Sequence, residues 1–406
     1  MSVDRLPARG SALDTLASSS LRAALASLPN IKGGTLRVRL PEGGMLTFGD
    51  GAGPSAEIAI RDYSFARRVL FSGDIGFAEG WIEGEWTSPD LVNLLCLLAD
   101  NTERLAGAFR GGAMGWLLNR LAHLTRANTR KGSRRNILAH YDLGNDFFAA
   151  WLDPSMTYSS ARFGAGADDL QSAQAAKYHA MAQHARLKPG DHVLEIGCGW
   201  GGFAEIAARE YGACVTALTI SEEQLAFAQA RIVRTGLSDR VTVRRLDYRD
   251  VEGQFDAVVS IEMLEAVGEK YWPSYFAKIA EVLKPGGRAA LQVITMRDDL
   301  FEDYRSRSDF IQRYVFPGGM LPSIERLRAE TSATDLRWGD VDMFGRDYDR
   351  TLSLWANAFE ANWPTIKAQG FDERFRRFWL FYLAYCVAGF RMQRIDVIQL
   401  TLAKPA

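Results

Sequence analysis

The chain has 406 residues, which is long enough for one large or two ordinary domains, and its 47% hydrophobic and 24% charged residues are typical of a globular protein. A formal net charge of −1 provides no overall field that would attract nucleic acid or a membrane, so any such attraction needs a local patch. The 4 cysteines and 5 histidines are scattered without a C-x-x-C motif, so we expect neither a disulfide framework nor a bound metal.

The N-terminus and the hydropathy pattern predict a protein without a secretory signal or a membrane-spanning helix. Asp4 and Arg5 interrupt the region where a signal peptide would have its apolar run. Uncharged apolar stretches stay below the roughly 18 residues that a transmembrane helix needs. We therefore expect a soluble protein of a reducing compartment, the cytoplasm.

Residues 1–100 are predicted to form a small α+β domain that follows a flexible N-terminal tail. TLRVRL alternates apolar and polar residues like a strand, GGMLTF has the pattern of its hairpin partner, and DLVNLLCLLAD has helical spacing.

Residues 101–136 are predicted to form a basic helical linker. Between Arg104 and Tyr141 the chain has no acidic residue, whereas basic residues recur and Trp116 lies in an apolar run. Such a segment suits an interfacial helix on an anionic membrane. It equally suits an interdomain helix whose charges face water, and the sequence leaves both interpretations open.

From about residue 172 to 296 the pattern alternates between strands and helices. The segments in order are HVLEIG, GGFAEIAAREYG, CVTALT, SEEQLAFAQARIVRTG, VTVRRLDY, FDAVVSIE and RAALQVITM. This alternation predicts an α/β fold with a doubly wound, mostly parallel sheet. Ser221 and Gln224 are expected to form a capping box. The whole domain would span residues 137–406, with an apolar insertion at about 297–330.

The segment GCGWGG follows the first of these strands directly. Gly197, Gly199 and Gly201 allow the backbone to turn sharply and to approach a ligand closely. The spacing also matches a dinucleotide-binding loop, but the second strand ends in Leu218 and Thr219, without an acid for a ribose. Glu195 before the glycines instead suits the cationic end of S-adenosylmethionine, and Asp247 could accept from its adenine. From the loop alone a dehydrogenase, a methyltransferase and simple packing glycines all remain open.

Several further motifs occur in a fixed order around this loop. They are HYDLGNDFFAAWLDPSMTYSSARF (140–163), LEIGCGWGG (194–202), TISEEQ (219–224), LDYRD (246–250), FDAVVSIEMLEAVG (255–268), FPGG (316–319) and DYDRTLSLW (347–355). Together they resemble the cyclopropane-fatty-acyl-phospholipid synthase family, which acts on fatty acyl chains with S-adenosylmethionine. The resemblance implies a class I methyltransferase fold, which is Rossmann-like. GDIGFAEGWIEGEW (73–86) is similar to the N-terminal lipid-binding domain of the phospholipid-acting members.

The resemblance implies which residues hold S-adenosylmethionine. They are Tyr158, Ser159, Glu195, Gly197, Cys198, Gly199, Gly201, Thr219, Ser221, Gln224, Tyr248 and Arg249, to which the position at the end of the third strand adds Asp247. Two of these positions have a structural alternative. Gln224 could only cap its helix, and Tyr248 could belong to the core instead of stacking on adenine.

In this family a bicarbonate ion acts as the base, held by a cysteine, a glutamate, a histidine, a tyrosine and the backbone of an isoleucine. This chain matches the family at Glu265, Tyr348 and Ile294, but has Ser160 and Gln292 at the cysteine and histidine positions. Glu262 stands where the family has a glycine. The loss of a group that could be cationic, together with an added acid, disfavours a bound anion. We therefore expect bicarbonate to be weakly held or absent, with Glu265 or Glu262 as the base.

A base in a different place would reach a different proton. We therefore expect a methylated or methylene-bearing chain rather than a cyclopropane, although ring closure remains open. The resemblance further implies an unsaturated phospholipid substrate, peripheral association with the inner face of the membrane, a homodimer, and for some relatives a partner oxidoreductase. Nucleic acid is not an expected partner. The alternative function is a lipid-binding protein that has lost catalysis, and a methyltransferase for a soluble molecule is a third.

Overall fold

The computed structural model describes residues 19–105, 143–164 and 166–406. The predicted N-terminal tail and nearly all of the basic linker, including Trp116, lie outside this part of the chain. Within it no helix is long and apolar enough to cross a membrane. The described residues form two compact units, of which one contains the N-terminal segment and the other contains most of the chain beyond it.

The first unit combines a small sheet with helices. Its strands are β1 (Thr35–Arg39), β2 (Met45–Gly49), β3 (Ser55–Ile60) and β4 (Trp86–Thr87), and its N-terminal helices are α1 (Ser19–Leu25), α2 (Ser64–Ile82) and α3 (Leu91–Asp100). The sheet order is β2-β1-β3-β4. β1 and β2 pair antiparallel from Thr35 opposite Gly49 to Arg39 opposite Met45, so the predicted hairpin is confirmed. Asp90 caps α3 by accepting a hydrogen bond from the Asn93 amide.

The second unit is an α/β fold around a sheet of seven strands. The strands are β5 (His192–Ile196), β6 (Cys214–Thr219), β7 (Val241–Arg245), β8 (Phe255–Ile261), β9 (Leu283–Met296), β10 (Arg337–Met343) and β11 (Ile395–Ala403), in the order β10-β11-β9-β8-β5-β6-β7. β5 to β9 run parallel, and β11 and β10 add an antiparallel edge. The predicted doubly wound sheet is confirmed. In such sheets ligands bind at the carboxyl ends of the strands where the order reverses, here beside β5 and β8.

Helices cover both faces of this sheet. They are α4 (Asn145–Ala149), α5 (Leu170–His184), α6 (Gly202–Tyr211), α7 (Glu222–Arg234), α8 (Leu264–Val267), α9 (Trp272–Val282), α10 (Asp298–Ser306), α11 (Ile324–Thr331), α12 (Gly345–Ala361) and α13 (Trp363–Ala368). One face packs Trp272, Phe276 and Ile279 against the strands. The other packs Met181 and Phe203. The buried faces of both layers fix the strand ends that carry the predicted site residues.

The two units do not coincide with consecutive stretches of sequence. A last helix, α14 (Glu373–Arg391), and the segment Arg307–Arg313 group with the N-terminal residues instead of the seven-stranded sheet. Trp81 Nε1 donates to the carbonyl oxygen of Arg377 at 2.9 Å, and Arg374 pairs with Glu83 at 2.9 Å. This division differs from the sequence-based boundaries, which assign residues 137–406 to one domain.

We expect Gly202→Ala to destabilise the second unit, because a Cβ there would lie 2.6 Å from the hydroxyl oxygen of Tyr178. Tyr178 is buried and bonds to Thr157 at 2.9 Å, next to the predicted site residue Tyr158. Overpacking of this kind costs about 1–3 kcal/mol, which a urea titration would measure. Gly164→Ala is the matched control, since a Cβ there meets nothing within 4 Å. Equal stability of the two variants would contradict the packing argument.

Candidate functional site

The glycine loop leaves the carboxyl end of β5 in a conformation that favours glycine. Gly197, Gly199 and Gly201 have φ of 83°, 52° and 83°, in the left-handed region. A Cβ at Gly199 would meet nothing within 4 Å, so the loop backbone borders open space there. At Gly197 a Cβ would lie 2.8 Å from Met263 Cγ, and glycine thus allows this loop to approach the segment that follows β8. The Cys198 side chain is buried behind the turn.

Glu195 lies at the end of β5 and is 3% exposed. Its Oε2 has no hydrogen-bond partner among the described residues. Burial raises the pKa of Glu195 to about 8, although the positive charges of Lys177 and Arg231 oppose the shift. The site therefore contains a buried acid with an unused oxygen, which a ligand amine or ammonium group would satisfy.

Thr219, Ser221 and Gln224 form a small network at the end of β6. Ser221 Oγ accepts from the Gln224 amide, as a helix N-cap does. The reciprocal half of the predicted capping box is absent: the Ser221 amide donates to Thr219 Oγ1 at 3.2 Å, and that hydroxyl donates to Gln224 Oε1 at 2.9 Å. The capping-box prediction is wrong in this half, because the Thr219 hydroxyl takes the position of the glutamine. The side-chain amide of Gln224 is thereby held at the end of β6.

Asp247, Tyr248 and Arg249 follow β7. The Asp247 carboxylate binds the Arg249 guanidinium through Oδ1 at 2.8 Å and Oδ2 at 2.5 Å. The Tyr248 ring lies edge-on to Tyr275 with centroids 5.4 Å apart. Burial raises the pKa of Tyr248 to about 12. The carboxylate predicted to accept from adenine is thus oriented by a bidentate ion pair.

Tyr158 and Ser159 lie in the segment before α5. The Tyr158 ring packs among Phe148, Trp151 and Trp355 with centroids 5.2–5.6 Å apart. Ser159 Oγ accepts from the ammonium group of Lys177 at 2.5 Å. Lys177 is completely buried, and burial lowers its pKa to about 7. Lys177 is not among the predicted site residues; its signal in the sequence is a lysine on the apolar side of α5, between Ala173 and Met181.

The carboxylate of Glu262 is the centre of the second cluster of predicted residues. Its Oε1 accepts from the Ser160 amide at 2.8 Å and from Gln292 Nε2 at 2.7 Å, and its Oε2 accepts from the Tyr348 hydroxyl at 2.6 Å. The Ser160 hydroxyl instead donates to the carbonyl of Ala161. Three of the residues at the predicted anion site, Ser160, Gln292 and Tyr348, therefore donate to the chain's own carboxylate.

The backbone of Glu262 is strained. Its φ of 51° is in the left-handed region, which costs a non-glycine residue about 1–3 kcal/mol. The Glu262 amide donates to the carbonyl of Gln292 at 2.8 Å, which anchors this conformation. Burial raises the pKa of Glu262, and hydrogen bonds from Tyr348, Ser160 and Gln292 oppose the shift together with the charge of Lys177.

Glu265 lies in α8, one turn after Glu262. Its Oε1 accepts from the Ile294 amide at 2.5 Å, and its buried Oε2 has no hydrogen-bond partner within the described ranges. Burial, followed by repulsion from Glu262, raises the pKa of Glu265 to about 8. Near neutral pH the carboxyl of Glu265 is therefore predominantly protonated, whereas three hydrogen bonds favour the ionised form of Glu262. The environments of the two acids therefore differ, although both carboxyls are buried.

The family model described as mycolic acid cyclopropane synthetase matches residues 128–400. The chain is 39% identical over 380 residues to "Tuberculostearic acid methyltransferase UfaA1" of Mycobacterium tuberculosis, covering 91% of this chain and 88% of the relative. It is 38% identical over 360 residues to "Cyclopropane-fatty-acyl-phospholipid synthase" of Escherichia coli, covering 87% and 89%. Among solved structures, mycolic acid cyclopropane synthase CmaA1 complexed with SAH and CTAB aligns with a TM-score of 0.63 and 32% identity, covering 67% of this chain and 98% of that one.

We expect Glu265→Gln to change how stability depends on pH. Because burial raises the folded-state pKa from 4.5 to about 8, the folded protein binds a proton that the unfolded chain lacks in this interval. The contribution of Glu265 to the free energy of unfolding therefore falls as pH rises from 4.5 to about 8. The substitution should remove a slope of at most about 1.4 kcal/mol per pH unit.

Thermal unfolding followed across this pH interval would measure the effect. Glu252→Gln is the matched control, since Glu252 is exposed. A slope in Glu265→Gln equal to that of the unmodified chain would mean that this carboxyl titrates normally.

Proposed function

This chain belongs to the mycolic acid cyclopropane synthetase family, and we propose that it methylates the double bond of an unsaturated fatty acyl chain and removes a proton with its own Glu262 carboxylate. The general activity of the family is S-adenosylmethionine-dependent methyl transfer to fatty acyl chains. The proposal that Glu262 removes the proton rests on the position of its carboxylate among Ser160, Gln292 and Tyr348.

The residues around β5 fit S-adenosylmethionine. Open space borders Gly199, and Glu195 offers an unused buried carboxylate oxygen to a cationic group. Thr219 orients Gln224 beside this loop, and the Asp247–Arg249 pair lies at the end of β7. When bound, S-adenosylmethionine supplies an electrophilic methyl group. We propose that Glu195 binds its amino group and that Asp247 receives its adenine amino group.

Bicarbonate does not fit the second cluster. Three hydrogen-bond donors that would hold an anion already donate to Glu262, and its negative charge would repel a second anion. A tethered carboxylate provides the same kind of oxygen base without a binding equilibrium. We propose that Glu262 is the base and that Glu265, which is neutral near pH 7, forms the adjoining wall.

The proton that Glu262 removes decides the product. Methylation of a double bond forms a C–C bond, breaks the C–S bond with its electron pair left on sulfur, and leaves a carbocation on the acyl chain. Loss of a proton from the new methyl with ring closure gives a cyclopropane. Loss from the methyl-bearing carbon gives a methylated alkene, and loss from the methyl after a hydride shift gives a methylene group.

We propose one of the latter two products, because the base is fixed to the end of β8 instead of being a separately bound ion. A neighbouring carbocation would also be stabilised by the ionised Glu262 and by the ring of Tyr348.

We further propose that the acyl chain belongs to a membrane phospholipid. This follows from the N-terminal unit and from a relative whose name specifies fatty-acyl-phospholipid and of which 89% is covered. Peripheral membrane binding, a homodimer, and an oxidoreductase that reduces the product are parts of the same proposal. The basic linker that suggested the membrane contact lies outside the described residues.

The product can be identified by mass spectrometry of acyl chains after incubation with S-adenosylmethionine and vesicles of cis-monounsaturated phospholipid. We expect a species one CH2 heavier that takes up hydrogen under mild catalytic hydrogenation. A cyclopropane would have the same mass but resist that treatment, and its formation would contradict the proposed product.

Replacing Glu262 tests the proposed base directly. We expect Glu262→Gln to lower kcat by about 10²–10⁴-fold, the range that a positioned general base contributes. Glu262→Gly leaves a space bordered by three hydrogen-bond donors, so added formate should restore part of its activity. Formate should not restore Glu262→Gln, whose amide fills that space. Glu252→Gln provides an exposed control.

Two results would overturn this assignment. One is full activity of Glu262→Gln. The other is loss of activity of the unmodified protein when bicarbonate and dissolved CO2 are removed, because an external anion would then be needed. Binding of S-adenosylhomocysteine by each variant shows whether the cofactor site is intact.

A further inference from the structure

A chain of buried hydrogen bonds leads away from Glu262 through the sheet. Gln292 on β9 and Gln399 on β11 lie directly opposite each other in register, and they are 1% and 0% exposed. Gln399 Nε2 donates to Gln292 Oε1 at 2.9 Å, and Gln292 Nε2 donates to Glu262 at 2.7 Å. Gln399 Oε1 accepts from Arg162 Nη1 at 2.8 Å. Two glutamine side chains thus connect Glu262 to the guanidinium group of Arg162.

The direction from donor to acceptor along these hydrogen bonds is fixed by the chemistry of the groups at both ends. A guanidinium group donates only, so the oxygen of Gln399 must face Arg162 and its NH2 group must face Gln292. Two backbone carbonyls, which accept only, support the same orientation. Gln399 Nε2 also lies 3.4 Å from the carbonyl of Lys177, and Gln292 Nε2 lies 3.4 Å from that of Ser160. The last group in the chain, Glu262, therefore has to accept.

The outer end of the chain is an ion pair near the surface. Arg162 Nη2 contacts Asp342 Oδ2 at 2.6 Å, and His184 Nε2 lies 3.4 Å from the same oxygen. The Asp342 side chain is 43% exposed, and that of Arg162 is 28% exposed. Asp342 orients Arg162 and lies opposite Gln399 in the register of β10 and β11. Within the described residues, however, its carboxylate contacts Arg162 and His184, not the side-chain amide of either glutamine. The ion pair and the amide chain can therefore be altered separately.

We propose that Arg162 and Gln399 are positioning residues for the base, because they fix the Gln292 amide so that it donates to Glu262 and favours the ionised carboxylate. This inference rests on the proposed role of Glu262. The other charged or titratable groups that act on Glu262 are Lys177 from α5, Tyr348 from α12 and Glu265 from α8. Without Arg162, both amides could reverse, and an amide oxygen would then face the Glu262 carboxylate.

A purely structural role makes a different prediction. Buried polar pairs can often be replaced by apolar groups with little loss of stability, and an ion pair at the surface contributes little. If Arg162 served only to bind Asp342, removal of either partner would have the same effect. If it orients the amides, only removal of Arg162 would affect the reaction.

The test compares Arg162→Met with Asp342→Asn, which breaks the same ion pair but leaves the bond from Arg162 to Gln399. We expect Arg162→Met to shift the acidic limb of the kcat–pH profile upward by about one pH unit, since loss of a donor raises the pKa of Glu262. At pH values below the acidic limb, kcat of Arg162→Met should be about tenfold lower than kcat of the unmodified protein, with little change in KM. Asp342→Asn should leave the acidic limb at its original pH. Arg162→Lys keeps a cationic donor at this position, so its limb should shift less than that of Arg162→Met.

Gln399→Leu provides a second measurement within the amide chain and should shift the limb in the same direction. Unshifted limbs in Arg162→Met and Gln399→Leu, or equal shifts in Arg162→Met and Asp342→Asn, would overturn the positioning role. These failures are distinguishable from failure of the proposed function. If Glu262→Gln retains full activity, the base itself is wrongly assigned, whereas an inactive Glu262→Gln with normal profiles for the other variants refutes the positioning role alone.

Discussion

The three hydrogen bonds to the Glu262 carboxylate are the interaction on which the rest of the candidate site depends. They connect the segment before α5 (Ser160), strand β9 (Gln292) and helix α12 (Tyr348) to the end of β8. Each element is positioned by its own packing, so the carboxylate joins parts of the chain that are distant in sequence. The left-handed backbone of Glu262 costs free energy, and glycine would avoid that cost. A strained residue whose carboxylate has three buried partners supports our proposal that this side chain takes part in the reaction.

The charges around this carboxylate explain why the site can contain three buried acids. Glu195, Glu262 and Glu265 share one region with the completely buried Lys177, whose charge stabilises the ionised forms of Glu195 and Glu262. Burial nevertheless raises the pKa of Glu195 to about 8, and burial with repulsion from Glu262 raises the pKa of Glu265 to about 8, so both carboxyls are predominantly protonated near neutral pH. Three ionised acids beside one ammonium group would repel each other strongly, and protonation of Glu195 and Glu265 reduces that repulsion. The acids are thus distinguished by their neighbours, although their side chains are identical.

The fold was largely predictable from the sequence, whereas the organisation of the site was only partly so. The alternation of strands and helices and the glycines after β5 are local signals, and both appear in the structure. The capping box at Ser221 failed because the competing hydroxyl of Thr219 belongs to the preceding strand. The packing of α14 with the N-terminal unit, and the pairing of Gln292 with Gln399, depend on contacts between distant residues. The local sign of the Gln292–Gln399 pairing was a glutamine within an apolar strand, as in IDVIQLTL.

A tethered base differs from a bound ion in more than affinity. A bound anion is held wherever its ligands converge, and can shift when one ligand changes. The Glu262 carboxylate is attached to a backbone that is itself bonded to the carbonyl of Gln292, so residue 292 fixes both ends of the base. This double attachment restricts the orientation of the carboxylate. If Glu262 is the base and Gln399 and Arg162 set its orientation, as we propose, the selection among the protons of a carbocation would be a property of the sheet, independent of any dissolved anion.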